Sequence, residues 1–273
     1  MELRIASYNI HKGVSAFGRN SRIHELKTAI KSLDADLIFL QEVQGQHDLH
    51  AKNHAHWPSH GQHEFIAGDT HQHAYGMNSV YEHGHHGNAL LSRLPILHST
   101  NHDISDHAYE QRGILHVQVQ LGQTHLHCFV IHLGLFASSR RRQINALIEQ
   151  IHQQVDPLHP LIIAGDFNDW GQKLSACLYQ ELGVVEAFSQ QAFTQTVSTS
   201  GSGSGLANWL HRTTGHAPTF PAAMPCLSLD RIYLRGFQVQ HAKVNRGTPW
   251  NKLSDHVPIS VSLKLNDQPS NHG

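Results

Sequence analysis

Six polar residues stand where short apolar runs stop. "RIASY" ends at Asn9, "LIFL" is followed by Gln41 and Glu42, "CFVI" ends at His132, and "LIIAG" leads into Asp166 and Asn168. Further on, Asp230 opens the run "LDRIYL", and the pair Asp255 and His256 precedes the last apolar run, "VPISVSLKL". Asn9, Glu42, Asp166, Asn168, Asp230 and Asp255 offer oxygen donors, His132 and His256 add two imidazoles, and no cysteine joins them. Hard oxygens with few nitrogens suit Mg²⁺ or Mn²⁺ better than Zn²⁺. Mg²⁺ takes few protein carboxylates and completes its shell with water and phosphate. The chemistry indicated is phosphate ester hydrolysis: the metal and the imidazoles offset charge on phosphate oxygens while a carboxylate aligns the attacking water.

The elements that must carry these residues are short strands. "LRIASY", "LIFL", "NALLS", "ILHVQVQL", "HCFVIHL", "LIIAG", "LDRIYL" and "VPISVSLKL" are of strand length. Val117, Val119 and Leu121 alternate with Gln118 and Gln120, which predicts one wet face, whereas "LIFL" and "LIIA" are continuous and read as buried on both faces. Ile23, Leu26, Ala29, Ile30 and Leu33 predict one amphipathic helix with Ser21 as its cap. Ile144, Leu147, Ile148, Ile151 and Val155 predict a second, capped by Ser138 or Ser139. Helices lying between strands indicate a layered α/β domain, in which residues just past strand ends line the ligand crevice. One domain is expected over 1–265, with a disordered tail over 266–273. "STSGSGSG" (198–205) reads as a flexible loop.

Composition narrows the function classes. The chain has 273 residues, enough for a sizeable core, and a formal net charge of -1, which argues against a broad electrostatic track for duplex DNA. Three scattered cysteines suggest no disulfide framework. The N-terminus has no signal-peptide pattern and no run reaches membrane-span length, so a cytoplasmic protein without an integral membrane segment is expected. No protein partner is implied. Histidine is unusually frequent, with 27 residues, about half of them between His47 and His107.

"SYNIHKG", "LQEV", "GNALLSR", "IHLGL", "GDFND", "LDRIYL" and "SDHVPI" occur in this order from Ser7 to Ile259. Each is weak alone. Together, in order, they resemble the endonuclease/exonuclease/phosphatase superfamily, whose members include pancreatic deoxyribonuclease, apurinic endonucleases, neutral sphingomyelinases and inositol polyphosphate phosphatases. The resemblance implies a four-layer sandwich of two packed β-sheets flanked by helices, with the site at one end. It implies Glu42 as principal metal ligand with Asn9 beside it, and Asp255 at a second or alternative metal position. Asp166 would orient and deprotonate the water, Asn168 would hold that water or a phosphate oxygen, and His132 would bind phosphate. His256, paired with Asp230, would stabilise the transition state or act as acid or base. Asp166 and His256 compete for the general-base role. Arg112 matches a phosphate-contacting arginine, and Asn88 an orienting residue.

Bland readings stand beside these. Glu42 alone is a solvated residue after a strand, "GDFND" alone is a turn, and Asp255–His256 alone is a surface pair. The common register of seven motifs favours the functional reading. Most histidines read as polar loop surface, although "HGHHG" (83–87) puts His85 or His86 at the rim of the expected site. Arg140, Arg141 and Arg142 are expected either to receive a second phosphate or an acidic head group near a helix start or to be a solvated helix face. Trp170 either stacks on a ring or packs in its loop. Three functions compete: a phosphodiesterase of endo- or exonuclease type; a phosphatase or phosphodiesterase on a lipid head group, inositol phosphate or other small phosphate; and a non-enzymatic, His-rich metal-binding protein.

Overall fold

The apolar runs pair into two six-stranded sheets. In chain order the elements are β1 (Glu2–Asn9), α1 (Ile23–Lys31), β2 (Leu37–His47), α2 (Asp48–Asn53), α3 (Gln62–Ala67), β3 (Gln72–Tyr81), β4 (Gly84–Ser92), β5 (Ile96–Asp103), β6 (Gly113–Leu121) and β7 (Thr124–His132). They continue with α4 (Ala137–Gln154), β8 (Leu161–Asp166), α5 (Ser175–Leu182), β9 (Val185–Glu186), β10 (Asp230–Arg235), β11 (Phe237–Val244) and β12 (Ile259–Leu265). The first sheet runs β11-β12-β1-β2-β4-β3 and the second β5-β6-β7-β8-β10-β9. The computed structural model describes residues 1–14, 21–53, 57–106, 110–171, 173–190 and 217–266. The "STSGSGSG" loop and residues 267–273 of the expected tail lie outside them.

Strand periodicity sends alternate residues to opposite faces, and that builds four layers. Leu37 and Phe39 of β2 point between the sheets, where they meet Val117, Val130, Ile162 and Ala164 of the second sheet. Ile38 and Leu40 point outward into a second core beneath α1 and α3, with Leu26, Ile30 and Ile66. Leu161 and Ile163 of β8 point outward under α4 and α5, against Ile144, Leu147 and Leu178. "LIFL" and "LIIA" are thus buried on both faces, while Gln118 and Gln120 are partly exposed. The expected caps differ. Arg22, not Ser21, precedes α1, and no side chain caps either helix. Ser139 lies inside α4, where its Oγ donates to Asp106 Oδ2 at 2.6 Å instead of closing the helix end.

Asn88 ties the two sheets together. It is buried in β4, and its Nδ2 donates to Gly113 O at 3.0 Å and Val130 O at 3.2 Å in the facing sheet. Asn88, expected as an orienting residue, directs its amide protons at backbone carbonyls in the interior.

The histidines of β6 and β7 explain part of the unusual composition. Beyond the apolar cover of α4, His116 and His127 line the outer face of the second sheet, and their rings stack together with Phe129 and His159. Gln154 Nε2 donates to Gln150 Oε1, so Gln154 Oε1 is left to accept from His116 Nδ1 at 3.0 Å. His116 Nε2 must then accept from His127 Nδ1 at 3.0 Å, and His127 Nε2 from His159 Nδ1 at 3.2 Å. One neutral tautomer per ring satisfies the chain; protonating His116 or His127 sets two donors face to face. Burial, with neighbouring histidines adding to it, holds both down to about 4, against 6.5 ordinarily; only the Gln154 bond to His116 opposes this.

Two outcomes follow from these contacts. The unfolded chain protonates these histidines at higher pH than the folded one, so it binds more protons across the interval and stability rises with pH through it. Each such site acting alone removes roughly 2 kcal/mol between about pH 7.5 and about pH 5. Urea midpoints should fall steeply over that range in the wild type and less in a His116→Phe, His127→Leu double variant; equal slopes would take the imidazole chain out of the explanation. Asn88→Ala removes two buried hydrogen bonds between the sheets and should lower unfolding free energy by about 2 kcal/mol, read from the same denaturation curves.

Candidate active site

The two sheets present their chemistry at one end. β7 and β8 are parallel and place His132 beside Asp166 as ladder partners, while antiparallel β10 places Asp230 on the other side of Asp166. The glycine in "GDFND" makes this possible. Gly165 has φ +149°, and a Cβ there would lie 1.9 Å from Ile131 O. Asn9 ends β1 of the first sheet and reaches across the sandwich. Its Nδ2 lies 3.3 Å from Asp166 Oδ2 and 3.2 Å from Glu42 Oε1. Glu42 does not follow its strand, as expected, but lies within it, at a bulge where the register with β4 shifts between Leu40 and Val43. The bulge re-aims a side chain that regular pleating would direct along the sheet face.

Asp166 Oδ2 is the hub. His132 Nε2 lies 3.6 Å from it and His256 Nε2 3.7 Å, in addition to the Asn9 amide. Asp166 Oδ1 accepts the Asn168 backbone N–H at 3.0 Å. Behind His256, its Nδ1 contacts Asp230 Oδ2 at 2.7 Å. All four side chains, Asp166, Asp230, His132 and His256, are buried. Burial works against a charged His256, but the charge and hydrogen bond of Asp230, then Asp166 and Asp255, outweigh it and raise its pKa to about 10. Asp166 is raised to about 6 by burial and by Asp230, against the lowering effects of His256, the Asn168 N–H and Asn9. His132 goes the other way. Burial, then Arg112, hold it well below the ordinary imidazole range, and it is neutral.

A second group of oxygens lies beside this hub. Burial disfavours the Glu42 carboxylate, yet the Lys12 charge, with His11 and the Asn9 amide, outweighs it and holds its pKa below the ordinary carboxylate value. His11 Nδ1 lies 3.8 Å from Glu42 Oε2 and 3.4 Å from Asp255 Oδ2, and Lys12 Nζ lies 3.7 Å from Glu42 Oε2. Ser254 Oγ donates to Asn9 O at 2.7 Å and so seats the loop carrying Asp255 and His256 on the end of β1. Glu42 and Asp255 are partly exposed carboxylates, and Cys128, four residues before His132, is buried in the inter-sheet core. This all-oxygen pair fits a hard divalent cation. Asp166, Asp230 and His256 also have ligand atoms within 4.8 Å of one another. There, however, His256 Nδ1 is engaged by Asp230, and a protonated imidazole has no lone pair for a metal.

The backbone is unusual at the same place. Five non-glycine residues among those described have positive φ, and four of them are here: His11 (45°), Lys12 (59°), Glu42 (53°) and Asn168 (49°). Such conformations disfavour L-residues and persist only where surrounding contacts impose them.

A cavity of about 740 Å³ opens over this floor, lined by Lys12, Glu42, His86, Arg112, His132, Asp166, Asn168, Asp255 and His256 among others. Asn9 and Asp230 lie beneath it. Arg112 Nε is buried without a hydrogen-bond partner, as is His86 Nδ1. Asn168 Nδ2 donates to Leu133 O at 2.9 Å, which anchors the β8 turn to the end of β7. Arg140 is brought elsewhere: its Nη1 donates to Gly134 O at 3.3 Å and Leu135 O at 2.6 Å, and the side chain lines a neighbouring cavity with Arg141 and Arg142. Helix α4 leads away from the floor, so closeness in sequence to His132 does not bring Arg140 to Asp166. Lys12, Glu110, Leu135, Phe136 and Phe220 line the main cavity without having been singled out from sequence. The only signal for Lys12 was its place three residues after Asn9.

The model of the Endonuclease/Exonuclease/phosphatase family matches residues 6–256. "Uncharacterized protein YbhP" of Escherichia coli K12 is 37% identical over 96% of each chain. A UPF0294 protein of Vibrio campbellii is 31% identical over 40% of this chain and 29% of its own. Among solved structures, an endonuclease/exonuclease/phosphatase from Beutenbergia cavernae superposes with a TM-score of 0.73 at 19% identity, covering 98% of this chain and 73% of that one. D. rerio TDP2 complexed with single strand DNA product superposes with a TM-score of 0.64 at 16% identity, covering 96% and 99%. With the family pattern running through both sheets and the Asp166 hub, the chain belongs to the endonuclease/exonuclease/phosphatase family, whose members are typically hydrolases of phosphate esters.

Proposed function

We propose that the protein is a divalent-metal-dependent phosphodiesterase that cleaves its substrate by attack of an activated water. The observation that supports this best is Asp166, buried between His132 and a His256 that is itself backed by Asp230, on the floor of an open cavity. Asp166 is the general base in this reading. His256 is held charged by carboxylates on both sides, so it has no free pair with which to take a proton from water. Its charge instead offsets the negative charge that grows on the phosphate oxygens, and its proton is available to the leaving oxygen. Neutral His132 and the unpartnered Arg112 Nε are donors for the non-bridging oxygens. Asn168 fixes the turn that aims Asp166, and Asn9 sets the spacing between Asp166 and Glu42.

Glu42 and Asp255, with Asn9 beside them, would hold Mg²⁺ or Mn²⁺. The family generally uses divalent metals. Bound there, the ion would neutralise phosphate charge and orient the ester. Arg112 and His86 would receive the rest of the phosphate group.

A small chromogenic diester, bis(4-nitrophenyl) phosphate, tests the reaction class. Wild type should hydrolyse it with Mg²⁺ or Mn²⁺ and stop in excess chelator, and Asp166→Asn should be slower by on the order of 100-fold or more. Equal release by wild type and Asp166→Asn would trace the signal to a contaminant and remove the mechanism. Glu42→Gln should move the Mg²⁺ activation midpoint up by about tenfold or more, the loss of one carboxylate ligand from a site with few. An unchanged midpoint would place the ion elsewhere.

A further inference from the structure

The mouth of the catalytic cavity carries three large apolar side chains that stay largely exposed among the described residues. Leu135 is 60% exposed, Phe136 65% and Trp170 63%. Leu135 and Phe136 come from the segment joining β7 to α4, and Trp170 from the turn after β8; all three line the cavity above Asp166. Water-facing apolar groups gathered on one rim mark a contact surface.

This segment is not slack chain that happens to point outward. Gly134 N donates to Gln143 Oε1 at 2.8 Å and Leu135 N to Glu110 Oε1 at 2.9 Å, while Arg140 Nη1 donates to the Gly134 and Leu135 carbonyls. Backbone groups on both sides of the peptide are therefore satisfied, and the side chains are displayed from a fixed platform. Behind the platform lies the second cavity, of about 770 Å³, into which Arg140, Arg141 and Lys173 project. An apolar ridge thus stands between the phosphate-directed floor and a cationic flank.

We infer that this rim docks on the surface of an anionic phospholipid bilayer, so that a phosphodiester head group enters the cavity. The inference rests on the phosphodiesterase reading and adds the substrate class to it. The make-up of the ridge favours a lipid surface over a nucleic acid strand. Leu135 has no π-face on which a base could stack, whereas an aliphatic, a phenyl and an indole side chain together suit the boundary between head groups and acyl chains. Arg140, Arg141 and Lys173 provide the complementary charge for anionic head groups beside the insertion point. The formal net charge of -1 fits a local cationic patch and not an extended phosphate track.

Co-sedimentation with vesicles tests this without turnover. The full chain should partition onto phosphatidylcholine vesicles containing phosphatidylglycerol, less onto phosphatidylcholine alone, and less as salt rises. A Leu135→Ser, Phe136→Ser, Trp170→Ser triple variant should partition about tenfold or more weakly with an unchanged thermal midpoint, since the altered side chains are exposed. Arg141→Glu should weaken binding to the anionic vesicles only. Wild type that stays in the supernatant, or equal partition of wild type and triple variant, would overturn the inference. So would a triple variant that instead loses affinity for a single-stranded oligonucleotide. Asp166→Asn should bind vesicles as wild type does. Binding without any hydrolysis by wild type would leave the surface standing and remove the hydrolase reading, and hydrolysis without binding would do the reverse.

Discussion

Everything at the cavity floor is arranged around one problem, a carboxylate taken out of water. Asp166 is buried in the seam where the two sheets meet, and an ionised carboxylate there is tolerated only with partners that make good its lost hydration. The partners come from both sheets. Strand pairing alone supplies His132 and Asp230, because β7, β8 and β10 are neighbours in the ladder. Asn9 must cross from the other sheet, and His256 must be delivered by the loop before β12, which Ser254 pins to the end of β1. The packing of Leu37 and Phe39 against Ile162 and Ala164 sets the separation of the sheets, and so it also sets whether Asn9 reaches Asp166. Core packing and site geometry are one constraint.

Left-handed backbone at His11, Lys12, Glu42 and Asn168 is the local consequence. Extended geometry at these four positions would carry their side chains along the strand direction, away from the hub. Each is held by contacts that outweigh the strain: the His11 N–H bonds Asn9 Oδ1, Lys12 O accepts from Gln62 Nε2 at 2.8 Å, Glu42 lies in a bulge fixed by pairing on either side, and Asn168 is tied through both its N–H and its Nδ2. Strain of this kind costs about 1–3 kcal/mol at each position and persists because the surrounding sandwich imposes it.

Sequence patterning reveals the parts of this molecule that are buried on both faces. Each apolar run read as a strand forms one, and the eight fill every central position of both sheets. The strands that were missed, β3, β5, β9 and β11, are the four edges. An edge strand is half solvated, so its sequence need not alternate cleanly; "QHAYGMNSVY" and "ILHSTNHD" are the result. The same logic separates the site residues. Asp166, Asp230, His132 and His256 adjoin apolar runs and are visible as interruptions of them. Lys12 and Phe136 adjoin none and depend on backbone direction that no local pattern encodes. Arg140 looked near because only two turns of chain separate it from His132, but a helix axis set by the packing of Ile144 and Leu147 leads it off. Asn88 looked polar and available, and its partners were two carbonyls of a sheet that is distant in sequence.

The histidines show how far partner chemistry, and not residue type, decides behaviour. His256 has carboxylates on both sides and stays charged. His132, a few ångströms away, meets burial and the Arg112 charge and stays neutral. His116 and His127 face other imidazoles and a carboxamide oxygen, a set that only neutral rings can satisfy. A metal-storing protein would turn several imidazole lone pairs toward one point. Here the lone pairs of His116 and His127 accept protons from the next ring in the chain, and the one compact ligand cluster found among the described residues contains a single histidine. His116, His127 and His159 therefore read as polar packing on the outer face of the second sheet, and their lone pairs are spent on one another.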